Sequence, residues 1–347
     1  MSQKAEDNTS CAKQQTLRES RYRMRFLKPL LGTAVLVGLL SFTDTDLLIS
    51  QFQKTNPSLF SLALILAVTA NIMCAWRWQI IASDLSISAP FCRFLSLYAQ
   101  GICANSVLPG GIVGGDALRS LAISEYTKTN AKHDGVLSVL LDRASGFWGL
   151  AWLSLFSGLV FFITGGQVSE PGGWLDTSYV RGYLLALIVI ATTPIIGRLM
   201  HLVWIKRYES SDRHFVLQSL IKIINGLPVL LRTLPHSFVI QLVTASSFWL
   251  CLLSVQVDIP FWLLVAMSGG IFLSGALPAS LGGFGARELG ALSLLAPFGF
   301  SKEGVFAASL LFGLISTIQG LFGLLFWLHN RGNRRCGSEP RKNFIAK

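Results

Sequence analysis

The chain has 347 residues, 52% of them hydrophobic and 14% charged, with a mean hydropathy of +0.54 and a net charge of +11. That is too little charge to cover a soluble domain, and the apolar stretches are continuous rather than alternating, which argues against a membrane β-barrel. The positive charge comes with no zinc finger, RNA-binding signature or base-reading helix, so no nucleic acid partner is expected and the basic residues suit cytoplasmic loops.

Residues 1–25 form a polar, basic tail expected on the cytoplasmic side. A first span is predicted over about 26–42, with Lys28 reaching the interface; "SFTDTD" follows in place of a small-residue cleavage site, so the span reads as uncleaved. A second span covers about 58–76. A third apolar stretch, about 91–108, stops at Pro109, and a polar segment with Arg119, Glu125, Lys128 and Lys132 follows. The long apolar run 136–164 is interrupted near its start by Asp142 and Arg143, which read either as a functional intramembrane pair or as an interfacial ion pair. "GGQVSEPGGWLDTS" is a Gly/Pro-rich acidic loop.

Spans resume at about 182–200 and 237–257. Between them, Val216, Leu220, Ile223, Leu227, Leu230 and Leu234 recur every three or four residues, the pattern of a helix lying on the membrane or packed on the protein, bent at Pro228. The stretch 261–277 ends at Pro278. The last span is about 305–328, before a basic tail at 330–347. Most of the nine tryptophans suit interface belts, Trp174 and Trp327 among them. The six cysteines are scattered and the five histidines isolated, so free thiols, no metal and no cofactor are expected.

Charge orders these elements. If the segments ending at Pro109 and Pro278 turn back within the membrane, about six spans remain. Both termini are then cytoplasmic, and only Lys54, Arg181, Arg287 and Lys302 of the 29 basic residues lie outside. If both segments cross fully, the loop with Glu170 and Asp176 moves inside and the basic stretch 206–232 moves outside, against the positive-inside rule. The predicted fold is therefore an all-α multi-span membrane protein with two re-entrant broken-helix hairpins. One transmembrane domain, 26–329, would comprise inverted halves at about 26–165 and 181–329.

The two breaks match. "LPGGIVGGDALR" (108–119) and "LPASLGGFGARE" (277–288) both read Leu-Pro, a spacer, Gly-Gly, then an arginine near an acid. Paired Gly/Pro-broken segments in two halves point to a transporter's substrate site. The half-helix expected after each Gly-Gly would aim its N–H groups at a cavity, and glycine admits a ligand close to the backbone. An arginine beside exposed amides suits a phosphate. Asp116 and Arg119, three apart, share a helix face, whereas Arg287 and Glu288 are adjacent and should point differently. Tight packing alone also explains Gly-rich membrane segments. Gln100 and Asn105 suit helix–helix hydrogen bonding somewhat better than ligand contact.

On "NSVLPGGIVGGDALR", "LLDRASGFWGL" and "LPASLGGFGARELGAL" the chain resembles the flippase-like transmembrane region of lysylphosphatidylglycerol synthases, over nearly all of 26–328. The resemblance implies an inner-membrane protein that moves a polar lipid between leaflets, with a membrane lipid as partner; a lipid-modifying enzyme is a partner only if the chain acts as a scaffold for one. It marks Pro109, Gly114, Gly115, Asp116, Arg119, Asp142, Arg143, Pro278, Gly282, Gly283, Arg287 and Glu288 as substrate-binding positions. Full synthases carry a soluble aminoacyl-transfer domain after the membrane part; here a short basic tail follows, so that activity is not expected. Gly313 stands where many members have an arginine in the last span. Without G-x-x-x-x-G-K-[ST], transport would run down a gradient or with protons. The alternatives are an integral-membrane enzyme acting on a lipid-phosphate or polyprenyl-linked donor, and a scaffold for a lipid-modifying enzyme. No G-x-S-x-G, paired histidine or activated cysteine favours the enzyme.

Overall fold

A computed structural model describes residues 45–107, 112–127, 132–163, 177–204, 227–276 and 285–336. Among them every regular element is helical, apart from one isolated antiparallel bridge between Ile87 and Thr127. The helices are α1 (Thr45–Gln53), α2 (Pro57–Asp84), α3 (Phe91–Val107), α4 (Ile112–Ile123), α5 (Lys132–Ile163), α6 (Thr177–Trp204), α7 (Leu227–Ser254), α8 (Phe261–Gly275), α9 (Ala286–Leu295) and α10 (Lys302–Cys336). Pro57–Asp84, His133–Phe161, Leu227–Ser254 and Lys302–Leu325 are long and apolar enough to cross a membrane. Shorter apolar stretches lie at Gly182–Ile196 and Phe261–Gly275. The protein is an all-α, multi-pass membrane protein. The expected first span, 26–42, lies outside the described residues, as does the acidic loop through residue 176.

Helices α2 and α7 form the central antiparallel pair. The Asn56 N–H, just before α2, donates to the Ser254 carbonyl at the end of α7 (2.8 Å), and Arg232 near the start of α7 reaches Asp84 at the end of α2 (3.4 Å). Asn56 also caps α2, its Oδ1 accepting from the Ser58 and Leu59 N–H groups, with Pro57 at the first helical position where a missing N–H costs nothing. In lipid there is little hydrophobic gain from joining helices, so small residues that allow close approach do the work. Ala63, Ala67, Ala70 and Ala75 are buried on α2, and Ser247 of α7 donates to the Ala63 carbonyl (2.7 Å).

The two short pairs are antiparallel hairpins that return to the end they left. In the first, Gly101 of α3 lies opposite Arg119 of α4, and the Ser88 N–H meets the Tyr126 carbonyl (3.3 Å) beside the Ile87–Thr127 bridge. At 1.5 Å per residue the 12 residues of α4 rise only ~18 Å, far short of a ~30 Å hydrocarbon core. In the second, Gly275 of α8 lies opposite Arg287 of α9, and Val257 at its base lies against Gly304 in the first turn of α10. The first hairpin is thus rooted where α2 ends and the second where α7 ends, at opposite ends of the central pair. Helix α3 packs on α10, and α8 packs on α5. Each hairpin's first leg therefore lies against the long helix that follows the other hairpin.

The largest core cluster joins α7, α8, α9 and α10 through Phe248, Leu264, Ile271, Leu295, Phe306 and Ile315. Outward faces stay apolar: Ile65 and Ile72 on α2, Leu159 on α5, Val189 on α6 and Leu325 on α10 are exposed. In water such faces would drive aggregation; in a bilayer they face the solvent they match.

Three boundaries differ from expectation. Helix α2 runs on past Trp76 to Asp84, and α10 extends from Lys302 to Cys336. Helix α7 begins at Leu227, so residues 227–236 of the expected amphipathic helix are the first turns of a span, packed on the protein; Leu230 is buried against Ile81, Leu141 and Trp148. Pro228 falls in the first turn, where proline is tolerated, and Pro235 lies inside the helix. The rest of the surface segment, 205–226, lies outside the described residues.

A methyl group on Gly323 of α10 would collide with the Ala99 carbonyl oxygen of α3, which is backbone and cannot swing aside, whereas Gly182 has nothing near it. Gly323→Ala should cost roughly 1–3 kcal/mol by overpacking and lower the Tm by several degrees, while Gly182→Ala should leave it unchanged or raise it. Thermal unfolding of the detergent-purified protein checks both.

Candidate functional site

Where α2, α3, α4, α5 and α7 meet, the fold gathers three arginines and two aspartates. Asp116 and Arg119 sit one turn apart on α4, with Arg119 Nη2 3.1 Å from Asp116 Oδ1. Asp142 and Arg143 are neighbours on α5 and so diverge by about 100° around the helix. Asp142 turns inward, accepting from Arg77 Nε (3.1 Å) and Nη2 (2.9 Å), with Oδ2 3.5 Å from Arg119 Nη2. Arg143 turns to α4 and grips Asp116 with both arms of its guanidinium, Nε to Oδ2 (2.8 Å) and Nη2 to Oδ1 (2.9 Å). Asp142 and Arg143 therefore each bind across helices, Asp142 to Arg77 and Arg143 to Asp116.

Arg77 is matched on every side. Its Nη1 donates to Ser237 Oγ of α7 (3.0 Å) and its Nη2 to the Asp142 carbonyl (3.1 Å). Ser237 in turn shares a hydrogen bond with Ser145 (2.8 Å), which shares another with Thr233 (2.9 Å). Arg119 is held differently. Its guanidinium lies between the rings of Trp78 (4.8 Å) and Tyr98 (4.6 Å), a sandwich whose faces attract cations. Its Nε and Nη2 are buried without a hydrogen-bond partner, since neither ion contact has hydrogen-bond geometry. Arg119 is only 2% exposed, while the Arg143 and Asp116 side chains (29% and 21%) form the cluster's accessible edge. Three arginines against two aspartates leave one formal positive charge in excess, and Arg119 holds the unspent donors. An anion with several acceptor oxygens fits both needs.

The hairpin's close packing rests on Gly115. Its N–H donates to Asn105 Oδ1 (2.8 Å), and a Cβ there would strike the Gly101 carbonyl oxygen across the α3–α4 contact. This corrects the expected geometry. Helix α4 starts at Ile112, before Gly114 and Gly115, and the Gly115 amide is spent on Asn105 rather than left bare for a ligand. A buried amide without a partner would cost too much, so a side chain of the facing helix supplies one. Asn105 accordingly makes the helix–helix hydrogen bond expected of it, and Gln100 donates to Ser96 on its own helix (3.0 Å).

The second hairpin is a closed knot. Gly285 takes φ 94°, a conformation other residues resist, to open α9. Glu288 Oε2 accepts from the Gly285 N–H (2.6 Å), and its Oε1 accepts from Arg287 Nη2 (2.7 Å) and Ser309 Oγ (3.2 Å). Arg287 also donates to the Ser309 carbonyl (3.1 Å) and lies 5.3 Å from the Phe312 ring centre. Arg287 is 5% exposed and Glu288 fully buried. The expectation that the two point apart fails, because a guanidinium is long enough to fold back on its neighbour when both are denied water.

Of the sequence-marked residues, Gly114, Gly115, Asp116, Arg119, Asp142 and Arg143 come together at the first cluster, and Arg287 and Glu288 form the second. Pro109, Pro278, Gly282 and Gly283 lie outside the described residues. Sequence reasoning missed Arg77, Trp78, Tyr98 and Ser237. An arginine between two tryptophans in "AWRWQII" was legible as an intramembrane charge once α2 was allowed eight residues beyond Trp76. Trp78 is fully buried and donates to Ser138 (3.2 Å), so it is no interface residue.

Removing one partner of a buried pair strands the other charge, at about 3–5 kcal/mol. Asp142→Ala and Glu288→Ala should each lower the Tm sharply, and Arg232→Ala, on the exposed Asp84 pair, should not. In the double variant Arg287→Met/Glu288→Gln much of the loss should return, since no lone charge remains. Denaturation of the set in one detergent checks this.

The sequence model of the Lysylphosphatidylglycerol synthase TM region matches residues 27–323. The UPF0104 membrane protein of Methanocaldococcus jannaschii is 25% identical over 312 residues, which span 84% of this chain and 91% of that protein. A match over most of the chain, on a helical membrane fold, places this protein in the lysylphosphatidylglycerol synthase transmembrane-region family.

Proposed function

We propose that the protein translocates a lipid with an anionic headgroup between the leaflets of the cell membrane, with the first hairpin's cluster receiving the headgroup phosphate. The observation that carries this reading is Arg119: a buried guanidinium, held between two rings, with donors unused and a surplus positive charge around it. The phosphate enters at the accessible edge, takes Arg143 from Asp116, and meets Arg119 behind it. Asp116, released, balances the remaining charge or holds a cationic part of the headgroup.

The packing supports reading the chain as two inverted halves. Hairpins rooted at opposite ends of an antiparallel α2–α7 pair, each leaning on the other's following helix, are what a two-fold axis in the membrane plane requires. With the expected first span, 26–42, counted and the basic residues kept inside, the first hairpin dips from the cytoplasmic side and the second from outside. Arg287, clasped by Glu288 and Ser309, is then the counterpart of Arg119 in a matched state. Alternating access would exchange which arginine is free.

The test is leaflet exchange of fluorescent phosphatidylglycerol in proteoliposomes. Arg119→Gln should slow exchange roughly tenfold or more, the value of one charge-assisted hydrogen bond, and Arg143→Gln should slow it less. Arg232→Gln should exchange as the parent does. Unchanged exchange in a folded Arg119→Gln protein would overturn the proposal.

A further inference from the structure

A second feature opens on the outer surface of the bundle, between α2, α3 and α10. It is a pocket of about 380 Å³, large enough for part of a lipid, and almost entirely apolar. Val68, Ile72 and Phe322 line it and are themselves exposed on the outward face, so its mouth opens sideways, where a bilayer offers acyl chains. Two polar side chains interrupt the lining. Asn71 Nδ2 donates to Gln319 Oε1 (2.9 Å), which fixes the Gln319 amide and leaves its Nε2 as the remaining donor group. Gln319 is only 8% exposed, and that Nε2 is buried with no partner. An amide donor left unmatched among hydrocarbon is costly, so the natural occupant brings an acceptor into an otherwise apolar space. The back wall is Tyr98, whose ring is also one face of the Arg119 sandwich.

We infer that this pocket seats an acyl chain of a membrane glycerolipid, with the chain's ester carbonyl accepting from Gln319 and Tyr98 standing between the chain and the charged cluster. Depth says which lipid this is. Asn71 is the fifteenth residue of the 28-residue α2 and lies near its middle. A lipid at rest in one leaflet keeps its esters at the interface, about half of the ~30 Å core away. A donor at mid-depth therefore serves a lipid part-way across. The inference rests on the translocation reading for that last step, while the pocket's occupancy is a separate matter of binding.

The experiment uses the full chain in nanodiscs of phosphatidylglycerol in which a fraction carries a diazirine on one acyl chain. After illumination, labelled peptides are mapped by mass spectrometry. Labels should concentrate on the α3 segment with Tyr98 and Ile102 and the α10 segment with Phe322, above the level on the outward face of α6. Ile72→Trp, which plugs the mouth from an exposed position, should remove that excess, and Gln319→Leu should reduce it several-fold. Labelling of α3 and α10 no stronger than that of α6, or an excess unchanged by Ile72→Trp, overturns the inference. Absent pocket labelling with normal leaflet exchange sinks this inference alone, and normal labelling with no exchange sinks the translocation reading alone.

Discussion

The pair that the first half of the molecule depends on is Arg77 with Asp142. Moving either ion alone out of water is expensive by far more than a folded domain has to spare, and hydrocarbon offers no water to fall back on. Arg77 therefore cannot lie in α2 at that depth unless α5 brings Asp142 to it within 2.9 Å and α7 brings Ser237 to its other side. Three helices are pinned in register by one guanidinium. The same cluster reaches α4, where Arg119 meets Asp142 at 3.5 Å and Asp116 meets Arg143 at 2.8 Å.

The two hairpins use the same ingredients to opposite ends. Glu288 neutralises Arg287 and caps α9 at once, Ser309 fills the remaining valences, and Phe312 covers the ring side. Every donor that is described there has an acceptor. At the first hairpin the counts do not close. Two aspartates are shared among three arginines, and the aromatic rings around Arg119 attract its charge without accepting its hydrogen bonds in the plane. A π face can hold a cation in place while leaving its N–H groups for something else. That difference, more than the shared Gly-Gly spelling, separates the closed clasp at Arg287 from the proposed receptor at Arg119.

Composition and run length made the class legible, and the paired Leu-Pro…Gly-Gly segments located both hairpins, because proline and glycine report backbone conformation directly. Asp116 with Arg119 was legible from spacing alone. What escaped is set by tertiary contact. Trp78 was not marked because sequence cannot say which face of α2 meets Arg119 of α4. Arg77 fell just beyond the expected second span, 58–76, because its neutralising partner lies 65 residues away. Whether Leu230 meets lipid or protein stayed open, because an amphipathic pattern is the same in both cases; it packs on Ile81, Leu141 and Trp148. The half-helix amides read as bare because Asn105 and Glu288 were not yet seen to reach them.

Carrying an amphiphile across a bilayer poses two unlike problems at one depth: a headgroup that needs charge, and chains that need hydrocarbon. A single cavity cannot meet both, since water admitted for the headgroup would wet the chains' path and weaken every ion contact by raising the local dielectric. A wall with one apolar body and a face that tolerates cations resolves this, and Tyr98 is such a wall, with the pocket on one side and Arg119 at 4.6 Å on the other. The Arg119 guanidinium stays in place beside it because Gly101, directly across the hairpin, has no side chain to contest the arginine's stem. The glycine, the tyrosine and the arginine come from α3 and α4 alone, so any movement of the hairpin as a body would shift Tyr98 and Arg119 together against the pocket walls of α2 and α10 and the charged partners on α5.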